Sequence, residues 1–287
     1  MQNRMKTSAW LLEFKSNAYS QTGEDGVIAK ILEVLPQSDK WCVEFGAWDG
    51  LHLSNVRNLI QHNNFSAVLI EADRAKFRQL QRNYLQNLRV IAINRLVGWY
   101  GENSLDQILQ ETPLAVDFDF LSIDVDGNDY HVWKALENYG PKVVCVEFNP
   151  TIPTAINFVQ PADASVNQGA SLLSLVKLGR QKGYELVAVL DFNAFFVKAE
   201  YYPLFQVEDN RPEVLRTNLG MTTQLFVGYD GRVFLHGYKK LPWHGIALKE
   251  DRIQPLPRFL RKYPCNYNRI ERLAYLVYES LARRLND

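Results

Sequence analysis

The sequence predicts a doubly wound α/β domain with a mostly parallel sheet, on three observations. Short apolar, β-branched runs around Cys42-Val43 and over 66–70, 90–93, 118–123 and 143–146 alternate with segments of helical spacing. Each of these runs closes on an acid or an amide: Glu44, Glu71, Asn94, Asp124 and Glu147. The first leads into two glycines, Gly46 and Gly50, as a buried parallel strand does where backbone must lie against a ligand.

Taken in order, Tyr19-Ser20-Gln21-Thr22-Gly23-Glu24-Asp25-Gly26 precedes Val27, Ile28, Ile31, Leu32 and Leu35, whose spacing predicts a helix closed by Pro36. Ser20, Gly23 and the two acids suit a helix cap or part of a site. In the next strand, Gly46 can take φ > 0 or admit a ligand atom that a Cβ would block. Glu44 is placed to accept hydrogen bonds from a cationic or hydroxylated group, although an ordinary strand–turn–helix junction would read the same way. A helix follows over roughly 54–62, then a strand ending in Glu71-Ala72-Asp73, then a helix carrying Lys76, Phe77, Leu80 and Tyr84. A third strand at 90–93 and a short helix at 104–109 lead to the fourth strand, which runs into Asp124-Val125-Asp126-Gly127-Asn128-Asp129. A helix around 132–139 and Pro141 precede the fifth strand, which ends in Glu147-Phe148-Asn149-Pro150.

Beyond Pro150 the texture changes to a long irregular loop over 151–168, of a length usually associated with function or disorder. A helix is expected at 171–178, late strands at 184–190 and 224–229, and a hairpin turn at Tyr229-Asp230-Gly231-Arg232. Residues 255–287 hold Pro255, Pro257 and Pro264, then a helix over about 267–285 with Ile270, Leu273, Ala274, Val277 and Leu281 at helical spacing. Arg258, Arg261, Lys262, Arg269, Arg272, Arg283 and Arg284 make this segment basic, so it packs onto the domain, meets an anionic partner or forms a dimer seam. The expected organisation is one domain over 1–250, with halves at about 19–150 and 151–250, and a helical extension over 251–287.

With 287 residues, 47% hydrophobic and 12% aromatic, the chain can bury a sizeable core. A formal net charge of zero argues against a general nucleic-acid binder. Cys42, Cys145 and Cys265 lack metal spacing and suit a reducing compartment. The segment Met1 to Lys6 leads into no apolar leader core, and no window reaches the ~20 apolar residues of a spanning helix. A soluble, cytoplasmic protein is expected.

In an open parallel sheet, ligands bind at the carboxyl ends of the strands. There the chain gathers Glu44, Gly46 and Gly50, then Glu71 and Asp73, Asn94, Asp124 and Asp126, and Glu147 and Asn149. Glu71 lies 21 residues after Gly50, where an acid bonds ribose hydroxyls in dinucleotide folds. Trp48, however, stands where the second glycine of a pyrophosphate cradle belongs. A ribosyl ligand with a positive charge and no pyrophosphate fits better, as S-adenosylmethionine does.

Ser20-Gln21-x-Gly23-Glu24-Asp25, V-E-F-G-A-x-x-G at 43–50, I-E-A-D at 70–73 and S-I-D-V-D-G at 122–127 together resemble the FkbM-type S-adenosylmethionine-dependent methyltransferases in order and spacing. The resemblance runs from about Tyr19 to Asn149 and implies a class I methyltransferase fold, Rossmann-like, with a mostly parallel seven-stranded sheet. It implies O-methylation of a hydroxyl on a sugar or natural-product-type small molecule. It also implies cofactor contacts at Gln21, Glu44, Gly46, Ala47, Gly50, Glu71, Ala72 and Asp124. The family usually shows D-V-E-G where this chain has D-V-D-G at 124–127, which keeps the charge and shortens the reach.

The same D-x-D suits a metal-dependent nucleotide-sugar glycosyltransferase, and D-x-D-G resembles a phosphatase nucleophile motif that wants Thr where Asn128 stands. A methyltransferase-fold binding protein without turnover is the non-enzymatic alternative. Candidate catalytic residues are Asp124, His131 and Glu147; His131 is a general base or a structural hydrogen bonder. Asp124, Asp126, Glu147 and Asn149 are oxygen donors of the kind Mg²⁺ takes. Expected partners are a small-molecule or glycan acceptor and a second copy in a homodimer, without nucleic acid or a membrane span.

Overall fold

The computed structural model describes residues 7–36 and 39–286, with the side chains of 284–286 left aside. The reading of Met1 to Lys6 and the side chain of Arg284 therefore lie outside the described residues. The chain forms two compact units, 1–219 and 220–287. The hairpin after 220 forms its own two-stranded sheet.

The first unit is built on β1 (Trp41–Phe45), β2 (Ser66–Glu71), β3 (Val90–Asn94), β4 (Phe120–Ile123), β5 (Val143–Glu147), β6 (Tyr184–Val189) and β7 (Asn193–Lys198). They form one seven-stranded sheet in the order β3-β2-β1-β4-β5-β7-β6. The neighbours from β3 to β5 pair in parallel, and β7 runs antiparallel to both β5 and β6. The β-branched runs are continuous because the central strands are covered on both faces: 67–70, 120–123 and 143–146 are buried throughout.

Flanking helices are α1 (Glu24–Val34), α2 (Arg57–His62), α3 (Arg74–Asn83), α4 (Leu105–Gln110), α5 (Asp129–Ala135) and α6 (Leu172–Gln181), followed by the single turns α7 (Tyr202–Phe205) and α8 (Pro212–Leu215). Asp73 caps α3 by accepting from the N–H groups of Ala75 and Lys76, and Ser171 caps α6 through that of Ser174. Fully buried aromatics fill the interior, with Trp133 of α5 packed 4.9 Å from Phe196 of β7 between ring centres. The sequence predicts late strands at 184–190 and 224–229, and the structure adds β7, which pairs with β5 and is not singled out by its own residues.

The second unit holds an antiparallel hairpin, β8 (Thr223–Val227) and β9 (Val233–Gly237), whose turn places Gly231 at φ +76°. It ends in α9 (Arg269–Asn286).

Candidate active site

The sheet order reverses direction between β1 and β4, so the edge at their carboxyl ends is the switch point where such sheets bind ligands. Gly46 leaves β1 at φ +69°, and a Cβ there would sit 2.1 Å from the Asp124 carbonyl oxygen. The glycine is needed by contact with the residue that follows β4. Gly50, at φ +72°, lies against the Tyr84 ring, and the Tyr84 hydroxyl donates to the Gly50 carbonyl at 2.8 Å.

The acids of β1 and β2 shape this loop. Glu44 accepts from the Ser54 hydroxyl at 2.6 Å and the Asn55 N–H at 2.8 Å, and Asn55 Nδ2 donates to Ser122 of β4. Both Glu44 oxygens thus have protein partners, and burial still pushes the carboxyl up to about 7. Glu71 accepts from the Trp48 N–H and the Asp73 N–H, both at 2.7 Å, while Asn94 Nδ2 donates to the Glu71 and Ala72 carbonyls. Ala47 N–H reaches the Ile70 carbonyl. The Trp48 ring is half exposed beneath the Lys76 ammonium, 4.1 Å from the ring centre.

The Ser20–Asp25 run is a self-capped loop. Asp25 Oδ2 accepts from the N–H groups of Ala18, Tyr19 and Ser20 and from the Ser20 hydroxyl. Glu24 Oε2 accepts from the N–H groups of Gln21 and Thr22, and the Gln21 side chain is exposed. Glu24 Oε1 accepts from Nδ2 of Asn193, the β7 residue opposite Glu147, so the cap is anchored at the β5 edge.

At the ends of β4 and β5 a different arrangement appears. One carboxylate oxygen each from Asp124, Asp129 and Glu147 lies within 4.8 Å of the others. Asp129 is buried and locks the 124–128 loop, accepting from the Val125 and Gly127 N–H groups at 2.9 Å. Burial and then the Asp124 charge push it up to about 7. Asp124 opens to solvent yet lies in a crevice crowded by protein, and this crowding, followed by the Asp126 charge, pushes it up to about 6. The Glu147 carboxylate accepts no hydrogen bond from any described residue, and burial followed by the charges of Asp124, Asp129 and Asp126 pushes it up to about 10.

The oxygen set expected from sequence is thus differently composed. Asp126, at φ +52°, stands outside the cluster. Asn149 Oδ1 is taken by the N–H and hydroxyl of Thr151. Asp129, absent from the sequence reading, takes their place; its signal was an acid opening the helix just after the D-x-D.

His131 sits on α5 with Nε2 2.9 Å from the Gln160 carbonyl and its ring 5.7 Å from Trp99. Gln160, also missed, is buried and joins the long loop to the D-V-D-G turn. Its Nε2 donates to Asn128 Oδ1 and the Val166 carbonyl, and its Oε1 accepts from the N–H groups of Gln168 and Gly169. Beside this junction a cleft of about 280 Å³ opens past the ends of β3 and β4, walled by Val97, Trp99, Tyr100, Asn103, Asp126 and Asn128 among others. Trp133 is core and Trp41 is half-buried on β1.

No protein-family model matches the chain, and no curated protein does. Solved structures resemble it at low identity. The N-terminal domain of EvdMO1 with SAH bound is 11% identical over 62% of this chain and 80% of that one, with a TM-score of 0.41. The CurJ carbon methyltransferase is 12% identical over 66% of this chain and 57% of that one, at 0.42. A SAM-dependent methyltransferase from Aquifex aeolicus is 9% identical over 66% and 96%, at 0.38. The strand order, with β7 reversed between β5 and β6, gives the chain the class I methyltransferase fold.

Proposed function

We propose that this protein is an S-adenosylmethionine-dependent methyltransferase that O-methylates a hydroxyl of a sugar or natural-product-type small molecule, in the manner its FkbM-type motifs imply. The observation that carries the reading is that one sheet edge brings together the Gly46 loop, Glu71 and the Asp124–Glu147 pair at the switch point of a class I methyltransferase sheet.

Glu71 would accept from the ribose hydroxyls with the lone pairs its two N–H partners leave. Beyond it, the aromatic-walled cleft at the ends of β3 and β4 suits the adenine ring. When bound, the cofactor supplies a methyl group activated on a sulfonium. Asp124, near neutrality in its proton affinity, is the residue suited to take the acceptor's hydroxyl proton. Glu147, pushed up to about 10 by burial and the neighbouring carboxylates, would donate a hydrogen bond that orients the acceptor oxygen. His131 serves the long loop through the Gln160 carbonyl. A divalent cation is the second reading, favoured by the mutual approach of three hard oxygens; Asp124, Asp129 and Glu147 would hold it and it would lower the acceptor's pKa.

The test is ligand-dependent melting followed by a labelled-methyl screen against sugars and extracted metabolites. At a hundredfold excess over Kd, S-adenosylmethionine or its demethylated product should stabilise by ~2.7 kcal/mol, with NAD and UDP-sugars inert. A larger shift with NAD or a UDP-sugar would sink the proposal. Turnover in EDTA, with Mg²⁺ added back, separates the cation from direct base action by Asp124.

A further inference from the structure

From Gly220 onward the chain carries twelve Lys and Arg against six Asp and Glu, although its formal net charge is zero. Within this basic unit, α9 has two unlike sides. Ala274, Tyr275, Tyr278 and Ala282 are half-buried, with Tyr275 packed against Tyr267 and the Tyr278 hydroxyl donating to the Pro255 carbonyl. The other half of the circumference presents Ile270 (80% exposed), Leu273 (65%), Leu276, Val277 and Leu281 in one stripe. Arg269, Arg272 and Arg283 are exposed along its flank. The helix's carboxylates among the described residues, Glu271 and Glu279, are half-buried and paired, with Lys262 and Arg283 respectively.

Aliphatic side chains interleaved with arginines identify the occupant. Nucleic acid would match the charge and leave five aliphatics in water. A second copy meeting this face by two-fold symmetry would set arginine against arginine, with no exposed carboxylate among the described residues of α9 to separate them. A bilayer surface with anionic headgroups satisfies both halves: the stripe sinks into the acyl boundary and the guanidinium groups meet phosphate oxygens. No described helix is long and apolar enough to cross a membrane, so α9 would lie in the interface plane. The same unit exposes Leu225, Phe226 and Val227 on β8, together with Tyr229 and Trp243, residue types that settle at such interfaces.

We propose that α9 is an in-plane anchor whose Ile270–Leu273–Val277–Leu281 stripe and flanking arginines dock the protein on an anionic phospholipid surface. The test is co-sedimentation of the full chain with phosphatidylcholine vesicles with and without about one third phosphatidylglycerol. Three arginines near the surface should give roughly 10- to 100-fold tighter partition onto the anionic vesicles, weakening with salt. Leu273→Asp with Val277→Asp should abolish binding to both; these positions are exposed, and circular dichroism checks that the helix persists. Arg269→Gln, Arg272→Gln and Arg283→Gln together should remove the anionic preference while leaving a weak, salt-independent association. Equal partition of the wild type onto both vesicles, no binding to the anionic ones, or undiminished binding by the Asp variant would overturn the proposal. So would a dimer in sedimentation equilibrium that the Asp variant dissociates without any vesicle binding, since that face would then be a seam between copies.

Discussion

The two halves of the binding edge treat their carboxylates differently. At β1 and β2 each acid is met by donors: Glu44 by Ser54 and Asn55, Glu71 by the Trp48 and Asp73 N–H groups. At β4 and β5, Asp124 and Glu147 face other carboxylates, and Glu147 has no donor among the described residues. The first half is complete as folded, and its acids hold the loop in shape. The second half needs a proton, a cation or a hydrogen-bonding ligand to complete it, and this electrostatic deficit marks where chemistry is expected.

The largest expected effect comes from breaking the junction of the two halves. Gly46→Ala places a Cβ against the Asp124 carbonyl at positive φ and should cost about 3–4 kcal/mol from overpacking and backbone strain. Gly101→Ala, also at positive φ but with nothing within 4 Å, should cost only about 1 kcal/mol. Equal losses in denaturant titration would show that the Gly46 contact is slack.

Next, Glu71→Ala strands two N–H groups and should cost about 3 kcal/mol of stability, and on the proposed function it should weaken cofactor roughly 10- to 100-fold. Calorimetric titration checks the second part. A variant of unchanged stability would erase the contrast between the halves.

The pH profile tests chiefly the other half, although Glu44 of the first half, pushed up to about 7 by burial, adds to it in the same direction. Glu147, Asp129 and Asp124 are raised to about 10, 7 and 6 from ordinary values of 4.5, 3.8 and 3.8, so the native state binds more protons than the unfolded chain across that window. Stability is then greatest below about pH 4 from these groups and is lost as pH climbs toward 10. Stability should therefore fall steadily between pH 5 and 9, with Glu147 the largest contributor and Asp124, which opens to solvent, the smallest. Glu147→Gln should flatten the upper part of the profile in thermal melts. A wild-type melting temperature that rises from pH 5 to 9 would contradict this.

The smallest effect is local. Gln160→Ala removes four side-chain bonds of the long loop, and hydrogen exchange at Gln168 and Gly169 should quicken by roughly 10-fold or more while global stability falls by about 1–2 kcal/mol. Unchanged exchange would mean that the loop is held elsewhere, with the Arg216 guanidinium on the Pro150 and Ile152 carbonyls as the first place to look.

Much of this was legible because it is local. A strand covered on both faces must be a continuous apolar run, so 66–71 and 143–147 declared themselves, and the acids ending them followed by position. Helix caps and periodicity likewise belong to a few neighbouring residues, and α9 was visible as both apolar-striped and basic. The runs 193–198 and 224–227 are both short and strand-forming, and neither shows in its own residues which one completes the sheet. Pairing with β5 decided for the former, and that contact joins residues about fifty positions apart.

The sequence by itself therefore determined the βα alternation, the order of the acids along the chain and the charge of the C-terminal segment, since each is written in nearby residues. Only the tertiary structure decided that Asp129 and not Asp126 joins Asp124 and Glu147. A turn at φ +52° takes Asp126 out of the cluster, and the first turn of α5 brings Asp129 into it. Spacing along a chain does not reveal which oxygens converge, because convergence depends on backbone angles and on strands that meet only after folding.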